Sequence, residues 1–218
     1  MRADIIRRPI RARDTRWAAA IARWLARTGF RPNHISVLSV VFGMVAGAAF
    51  ALVGTASSPL IHSMCYLLAA AAIQMRLLCN LFDGMVAIEG GFRTKSGEIY
   101  NELPDRFSDG FILGGAGYAC PDIPWLSALG WLAAFLAVTI AYVRALGAAA
   151  GAQQCFLGPM AKPHRMAVMT VAALASAVGE IFALRGVFIA AALGIVIVGG
   201  IVTIARRCAR IVRDLEAK

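Results

Sequence analysis

Hydrophobic positions along this chain fall into six long runs separated by short polar segments. The runs lie near residues 35–54, 61–82, 98–119, 124–148, 166–183 and 186–205. Each is close to the ~20 residues that span a bilayer as an α-helix. The connections contain Gly, Pro and Ser, as in GTASSP, EGGF and CPDIP, a composition typical of turns. The pattern therefore predicts an all-α integral membrane protein, built as a six-transmembrane-helix bundle.

A different pattern precedes the first run. Over residues 13–28, one helical face carries Trp17, Ile21, Trp24 and Leu25, and the arginines lie largely elsewhere. Such a helix is expected to lie in the cytoplasmic membrane interface, with its arginines near anionic headgroups. It can serve as a topological anchor or control lipid access. Because this N-terminus has no apolar core, it lacks the pattern of a cleavable signal peptide.

Composition supports a membrane protein with a single domain. The chain has 218 residues, of which 60% are hydrophobic, and a mean hydropathy of +0.71. A soluble domain is about half apolar. No internal repeat or long linker is evident. We expect one membrane domain over residues 1–218, with the amphipathic helix and a connecting loop at 1–32, the bundle at 33–206 and a basic cytoplasmic tail at 207–218.

Positive charge is distributed unevenly along the chain. The formal net charge is +10, from 22 Lys and Arg against 12 Asp and Glu. Except for Arg76, Arg106, Arg144 and Arg185, the basic residues fall in the N-terminal segment, the tail, and the second and fourth connections. The positive-inside rule makes both termini cytoplasmic. This topology explains the basic excess, so no nucleic-acid partner is expected. The Ala- and Arg-rich composition indicates a bacterium, and hence a multi-pass protein of the inner (cytoplasmic) membrane.

Cysteine and histidine do not point to a metal centre or to disulfides. The five cysteines include no C-x-x-C pair, and the three histidines, His34, His62 and His164, are far apart in the sequence. Buried thiols that pack as small apolar residues account for the cysteines.

The most polar part of the predicted bundle is the stretch from residue 80 to residue 109. On the second predicted span, Asn80, Asp83, Gly84 and Ala87 recur at the spacing of one helical face. The same spacing on the next span aligns Glu98, Asn101, Glu102, Asp105 and Asp109. Charge inside a membrane is costly and marks functional sites. Two facing stripes of oxygen ligands suit a hard divalent cation, so the sequence predicts a metal site.

This stretch resembles the signature of the CDP-alcohol phosphotransferases, DGxxAR followed by eight residues and GxxxDxxxD, usually with another Asp three residues earlier. The match begins at Asp83 and Gly84, continues through Ala87 and Gly97, and ends at Asp105. The segment GFRPNHIS at 29–36 is similar to the G-x-x-P-N-x-I-[ST] segment that leads into the family's first membrane helix. The resemblance covers roughly the first two-thirds of the chain.

Three positions depart from the family pattern. Asn80 replaces the leading Asp, Asn101 replaces the third Asp, and Ile88 replaces the Arg. Asn keeps a carbonyl oxygen but loses the charge, so the four family positions contribute −2 here instead of −4. We hypothesise that a neighbouring carboxylate compensates; the candidates are Glu98, Glu102 and Asp109.

The resemblance implies an enzyme of phospholipid biosynthesis, a transferase that moves a phosphatidyl (phospho-alcohol) group to an alcohol acceptor with release of CMP. The implied donor is CDP-diacylglycerol or another CDP-alcohol, and the implied assembly is a homodimer among membrane lipids. The implied cofactor is Mg²⁺ or Mn²⁺, held by the family positions Asn80, Asp83, Asn101 and Asp105, with Glu98, Glu102 and Asp109 as supplementary ligands. Asp83 and Asp105 are implied to be catalytic. Gly84, Ala87 and Gly97 leave room for the CDP moiety.

A second group of residues is basic and lies on the same predicted side. Arg144, Lys162 and Arg165 can hold the phosphate of an anionic acceptor such as a polyol phosphate, because Arg binds phosphate with two N–H groups and Lys adds a point charge. Ordinary positive-inside charge explains Lys162 and Arg165 equally well.

Three alternatives to an active transferase stay open. The chain can be a catalytically degenerate family member that binds nucleotide or lipid or acts as a partner subunit. It can be a small transporter with a carboxylate site at mid-membrane depth. Finally, the charges in the spans can simply neutralise one another as Arg76 and Arg106 pair with Asp105 and Asp109.

Overall fold

The fold is all helical over the residues that the computed structural model describes, 15–92 and 97–217. A short 3₁₀ turn, Glu180–Phe182, follows the sixth helix. The helices are α1 Arg16–Arg27, α2 Pro32–Val53, α3 Pro59–Glu89, α4 Gly97–Ala116, α5 Leu126–Ala149, α6 Lys162–Gly179 and α7 Val187–Glu216.

Five of these helices are long and apolar enough to cross a membrane, namely α2, α3, α5, α7 and the segment Lys162–Phe182 that contains α6. The prediction of an all-α membrane protein is confirmed to that extent. The remaining predicted span corresponds to α4, which has 20 residues but carries five charged ones. Its polarity distinguishes α4 from helices α2, α3, α5, α6 and α7.

Helices α2 to α7 close into a ring in which the neighbours follow the order α2, α4, α5, α7, α6, α3 and back to α2. The ring encloses one apolar core, which includes Phe50, Ile73, Leu113, Met166 and Leu193. Helix α1 lies outside the ring against α3, where Ala18 and Ala22 are buried beside Phe82. The polar helix α4 is therefore held between α2 and α5.

The contact between α2 and α4 is unusually close because both helices present glycine there. A Cβ atom added to Gly43 would lie 2.8 Å from the Cα atom of Ser108. One added to Gly47 would collide with the backbone of Phe111, and Gly115 faces Gly47 in turn. Any side chain at these positions would push the helices apart, so the glycines set how deeply α4 is seated.

Two helices are longer than the hydrophobic pattern predicts. Helix α3 continues past residue 82 to Glu89, and α7 continues past residue 205 to Glu216. At 31 residues, α3 is about 46 Å long, more than a bilayer core requires. The expected basic tail at 207–218 is thus mostly the last turns of α7, since a helix can leave the membrane without ending.

The segment between α5 and α6, residues 150–161, is fastened to α7. Arg207 is buried and donates hydrogen bonds to the carbonyls of Leu157 at 2.9 Å and Ile140 at 3.0 Å. The Met160 amide donates to the Thr203 hydroxyl at 2.9 Å. Gly158 has a φ of +116°, which favours glycine, and it packs against Thr203. These contacts determine where α6 begins.

Candidate active site

A cavity of about 420 Å³ lies at the end of the bundle where α3 and α5 finish and α4 and α6 start. Its polar wall includes Asn80 from α3, Asn101 and Asp105 from α4, Arg144 from α5 and Lys162 from α6. Another part of the lining, the apolar wall, includes Leu77, Leu81, Ile140 and Phe156. A cavity with one charged and one apolar wall suits a ligand that combines phosphate with less polar groups.

Asp105 is buried in the polar wall and is surrounded by cations. Its Oδ1 atom lies 3.4 Å from a terminal nitrogen of Arg76. Its Oδ2 atom contacts the ammonium of Lys162 and lies 3.7 Å from Arg106. Both oxygens of this carboxylate are therefore paired with basic side chains.

One turn further along α4, Asp109 joins three helices. It is fully buried and accepts hydrogen bonds from Arg76 of α3 at 2.9 Å and from Arg165 of α6 at 2.5 Å. Arg165 also donates to the carbonyl of Met160 at 2.9 Å. Buried charges need such pairing because desolvation is costly. Asp109, proposed from sequence as a supplementary metal ligand, instead occupies the centre of a buried ion-pair network.

Asp83 is the other family carboxylate, and its surroundings differ from those of Asp105. It is buried, and its Oδ2 atom accepts a hydrogen bond from the Ser36 hydroxyl of α2 at 2.8 Å. Among the residues that the structure describes, no basic group lies within ion-pair distance of Asp83. Lys162 and Asp105 are close enough for their charges to act on it. Asp83 does not line the cavity itself, and its direct partner in the described part of the chain is a hydroxyl group rather than a base.

The two amides that replace family carboxylates both face the cavity. Asn101 is exposed to it, and the side-chain nitrogen of Asn80 is buried without a hydrogen-bond partner in the described part of the chain. No group of three or more His, Cys, Asp or Glu side chains suited to a metal occurs within residues 15–92 and 97–217. Asn80, Asp83, Asn101 and Asp105 are all hard oxygen donors, so a divalent cation fits them chemically.

Glu102 faces the basic residues of α5 and α4. Its Oε1 atom lies 2.6 Å from Arg144, and its Oε2 atom lies 3.6 Å from Arg106. The Arg144 guanidinium also stacks over the ring of Phe156, with its carbon 5.5 Å from the ring centre. Arg144 is thus held at the cavity wall by an acid and an aromatic ring.

The helices are arranged as in solved structures of the phosphatidylinositol phosphate synthase of Mycobacterium tuberculosis. Its form with CDP-DAG bound is 20% identical, with a TM-score of 0.74, and the match covers 90% of this chain and 94% of that chain. Its complex with manganese and citrate is 20% identical, with a TM-score of 0.73 and coverages of 89% and 88%. Its apo form is 21% identical, with a TM-score of 0.70 and coverages of 88% and 94%. This chain has the CDP-alcohol phosphotransferase fold.

The fold predicted by the resemblance is therefore confirmed. No protein-family model and no curated protein matches the chain. The fold explains why the signature positions on α3 and α4 converge at one end of the bundle, although they are up to 25 residues apart in sequence.

The predicted nucleotide positions are less closely associated with the cavity. Gly84 and Ala87 lie on α3 just after Asp83, and Gly97 begins α4. None of the three lines the cavity that the described residues form. The side chain of Glu98, another supplementary ligand candidate, lies outside the described residues. The three basic residues proposed for an acceptor phosphate, Arg144, Lys162 and Arg165, do all line the cavity.

Arg76 and Arg207 are functional candidates that neither motif contains, and Ser36 ends the segment GFRPNHIS without having been assigned a role. Arg76 lies one turn before Asn80 on the same face of α3, and the pairing of Arg76 and Arg106 with aspartates, considered above as an alternative, is present in the structure. A lone arginine inside an apolar span was the available signal. Arg207 lies in a run of basic residues, so the sequence did not distinguish it from its neighbours. Ser36 contacts Asp83 only because α2 packs on α3.

Proposed function

We propose that this protein is a CDP-alcohol phosphotransferase that transfers a phosphatidyl or related phospho-alcohol group to an alcohol acceptor with release of CMP. The donor is CDP-diacylglycerol or another CDP-alcohol. The observation that carries the proposal is that Asn80, Asn101 and Asp105 line one cavity within this fold, while Asp83 follows Asn80 by one turn of α3. The binding of CDP-DAG by the mycobacterial synthase, which shares the fold, supports the choice of donor.

The cofactor in this proposal is Mg²⁺ or Mn²⁺, held by the oxygens of Asn80, Asp83, Asn101 and Asp105. When bound, such a cation neutralises charge on the phosphoryl oxygens. The manganese complex of the mycobacterial synthase supports this choice. Within the chain itself, Ser36 fixes one oxygen of Asp83 and leaves the other available as a ligand.

The reaction forms a bond from the acceptor oxygen to phosphorus and breaks the bond from phosphorus to the oxygen of CMP. CMP leaves with the electron pair, and the acceptor hydroxyl loses its proton. Asp105 is the carboxylate in the cavity wall, so we assign it as the acceptor of that proton. The apolar wall excludes water, which would otherwise compete with the acceptor.

A phosphorylated acceptor, such as a polyol phosphate, fits the basic part of the cavity. Arg144 and Lys162 are partly exposed to the cavity and keep N–H groups available for a phosphate. Arg165 is buried and committed to Asp109 and Met160. We therefore assign acceptor binding to Arg144 and Lys162, with Arg165 as their support.

We also propose a six-span topology in a bacterial inner membrane, with both termini cytoplasmic. Helix α4 is then the sixth span, because Asp105 and Asp109 are buried while Leu103, Phe107 and Phe111 form an exposed apolar face. Helix α1 lies in the interface, because Trp17, Ile21 and Trp24 are exposed, although Trp17 also contacts Phe82 of α3. The assembly is a homodimer by analogy with the family.

The test is to incubate the purified protein with CDP-diacylglycerol, Mg²⁺ or Mn²⁺ and a panel of alcohols, and to identify lipids and nucleotides by mass spectrometry. We expect CMP and one new phospholipid, both dependent on the metal and the acceptor. Asp105→Asn serves as the inactive control. Absence of CMP release with every acceptor would refute the transferase assignment.

A degenerate, ligand-binding protein is the second candidate, and the pairing of both Asp105 oxygens with cations favours it. Such a protein would bind CDP-diacylglycerol without releasing CMP. Substrate flux into sealed vesicles without CMP release would instead indicate a transporter.

A further inference from the structure

The cations around Asp105 bear on how many metal ions the site can hold. Arg76 cannot leave its place, because it is fully buried and is also bonded to Asp109 and to the backbone carbonyl of Asp105. Its guanidinium therefore stays on the Oδ1 side of the carboxylate. Two further nitrogens of Arg76 are buried without partners among the described residues, so its positive charge is incompletely compensated.

The other oxygen of Asp105 is paired with Lys162, the first residue of α6. The position of this residue is set by the fastened segment before it, through Met160 and Arg165. The contacts of the preceding segment therefore fix the position of the Lys162 ammonium beside Asp105, unlike that of a lysine on a free surface.

The net charge of the four family positions also limits how many metal ions the site can hold. Two of the four are amides, so the set carries −2 before the basic neighbours are counted. Lys162 and Arg76 face one of the two remaining carboxylates, and only Asp83 has no ion-pair partner in residues 15–92 and 97–217. Two divalent cations a few ångströms apart need several carboxylates to offset their mutual repulsion. The family positions supply one such carboxylate, Asp83.

We propose that the four family positions bind a single divalent cation, with Asp83 as their one carboxylate that is not paired with a base, and that the Lys162 ammonium permanently takes the place of a second cation. This inference rests on the proposed function. Lys162 then supplies a fixed positive charge to the phosphate groups, which a transferase would otherwise obtain from a second metal ion.

Manganese binding to the purified protein, without nucleotide or lipid, tests this directly. Titration followed by electron paramagnetic resonance of free Mn²⁺ gives the number of ions bound and their affinity. We expect one Mn²⁺ per wild-type chain. Lys162→Met should bind Mn²⁺ about tenfold more tightly or take up a second ion, because a repelling charge is removed.

Two variants serve as controls. Lys162→Arg keeps the charge and should retain one ion at nearly the wild-type affinity. Arg210→Gln removes a positive charge from the exposed end of α7 and should change neither value. Size-exclusion chromatography shows whether each variant is folded, and Lys162→Gln replaces Lys162→Met if the latter aggregates.

Two ions or none on the wild-type chain would overturn the proposal. So would weaker or unchanged binding in Lys162→Met, since a purely structural lysine would loosen the site on removal. Because no CDP-alcohol is present, the result is independent of the transferase assay. An inactive protein that binds one Mn²⁺ would refute the proposed function and leave this inference standing.

Discussion

The buried network around Asp109 makes a sharp prediction about stability. Asp109 is fully buried between Arg76 and Arg165, at 2.9 and 2.5 Å. Asp109→Asn keeps the shape of the side chain but leaves two buried guanidinium groups without their shared counter-charge. Breaking a buried pair in this way costs about 3–5 kcal/mol. For a chain of this size, the melting temperature should fall by on the order of 10 °C.

A matched control lies on α7, where Asp214 pairs with Arg210 at 2.9 Å, the same distance as Asp109 to Arg76. Here the Arg210 side chain is 52% exposed, so Asp214→Asn should cost only about 0.5 kcal/mol or less. Both substitutions replace an arginine-paired aspartate by asparagine, but Asp109 is buried between two arginines whereas Asp214 has one exposed partner on its own helix.

The assay is thermal unfolding of each variant in the same detergent, followed by size-exclusion chromatography of the material that stays folded. A double variant, Asp109→Asn with Arg165→Met, should lose less than the sum of the two single losses, because the residues share one network. If Asp109→Asn and Asp214→Asn shift the melting temperature equally, the network around Asp109 does not stabilise the bundle as described.

Three further predictions concern the site and the topology. Asp83→Asn and Asp105→Asn are nearly isosteric, so each should abolish metal-dependent CMP release while the protein stays folded; wild-type rates in both would disprove the assigned site. The double variant Asn80→Asp/Asn101→Asp adds two carboxylates and should bind Mn²⁺ more tightly in the titration; unchanged affinity would mean that these side chains do not face the metal. In a cysteine-free background, Ile123→Cys should react with a membrane-impermeant reagent in intact cells; labelling only after permeabilisation would reverse the proposed orientation.

Much of the fold follows from the hydrophobic runs, because a membrane leaves few alternatives to a helix for about 20 apolar residues. The same logic misplaces the ends of α3 and α7. Each helix continues beyond its apolar run into residues that the hydrophobic pattern does not include in a span. Nothing in those residues ends the helix. Gly90 follows α3 only where the helix actually ends, and α7 has no Gly or Pro after Gly200. Helix termination and membrane exit are separate events.

The candidate site was predictable where it depends on spacing along one helix. Asn101 and Asp105 share a face of α4, and both line the cavity. Contacts between helices were not predictable in the same way. Ser36 meets Asp83 across 47 positions of sequence, and Lys162 meets Asp105 across 57. Such pairs depend on the distance and register between packed helices. Close contacts at glycine set these, and the hydrophobic pattern does not reveal them.

The attachment of residues 150–161 to α7 has a consequence for motion. Opening this segment would break the bonds from Arg207 to Leu157 and from Met160 to Thr203 together, and would leave buried backbone groups without partners. The segment therefore behaves as a fixed wall and not as a lid. Its Met160 amide should exchange its hydrogen with solvent as slowly as the centre of a helix. The later turns of α7 also hold this wall, because Ile211 packs against Ala152 and Cys155, so a truncation that removes Ile211 would loosen it.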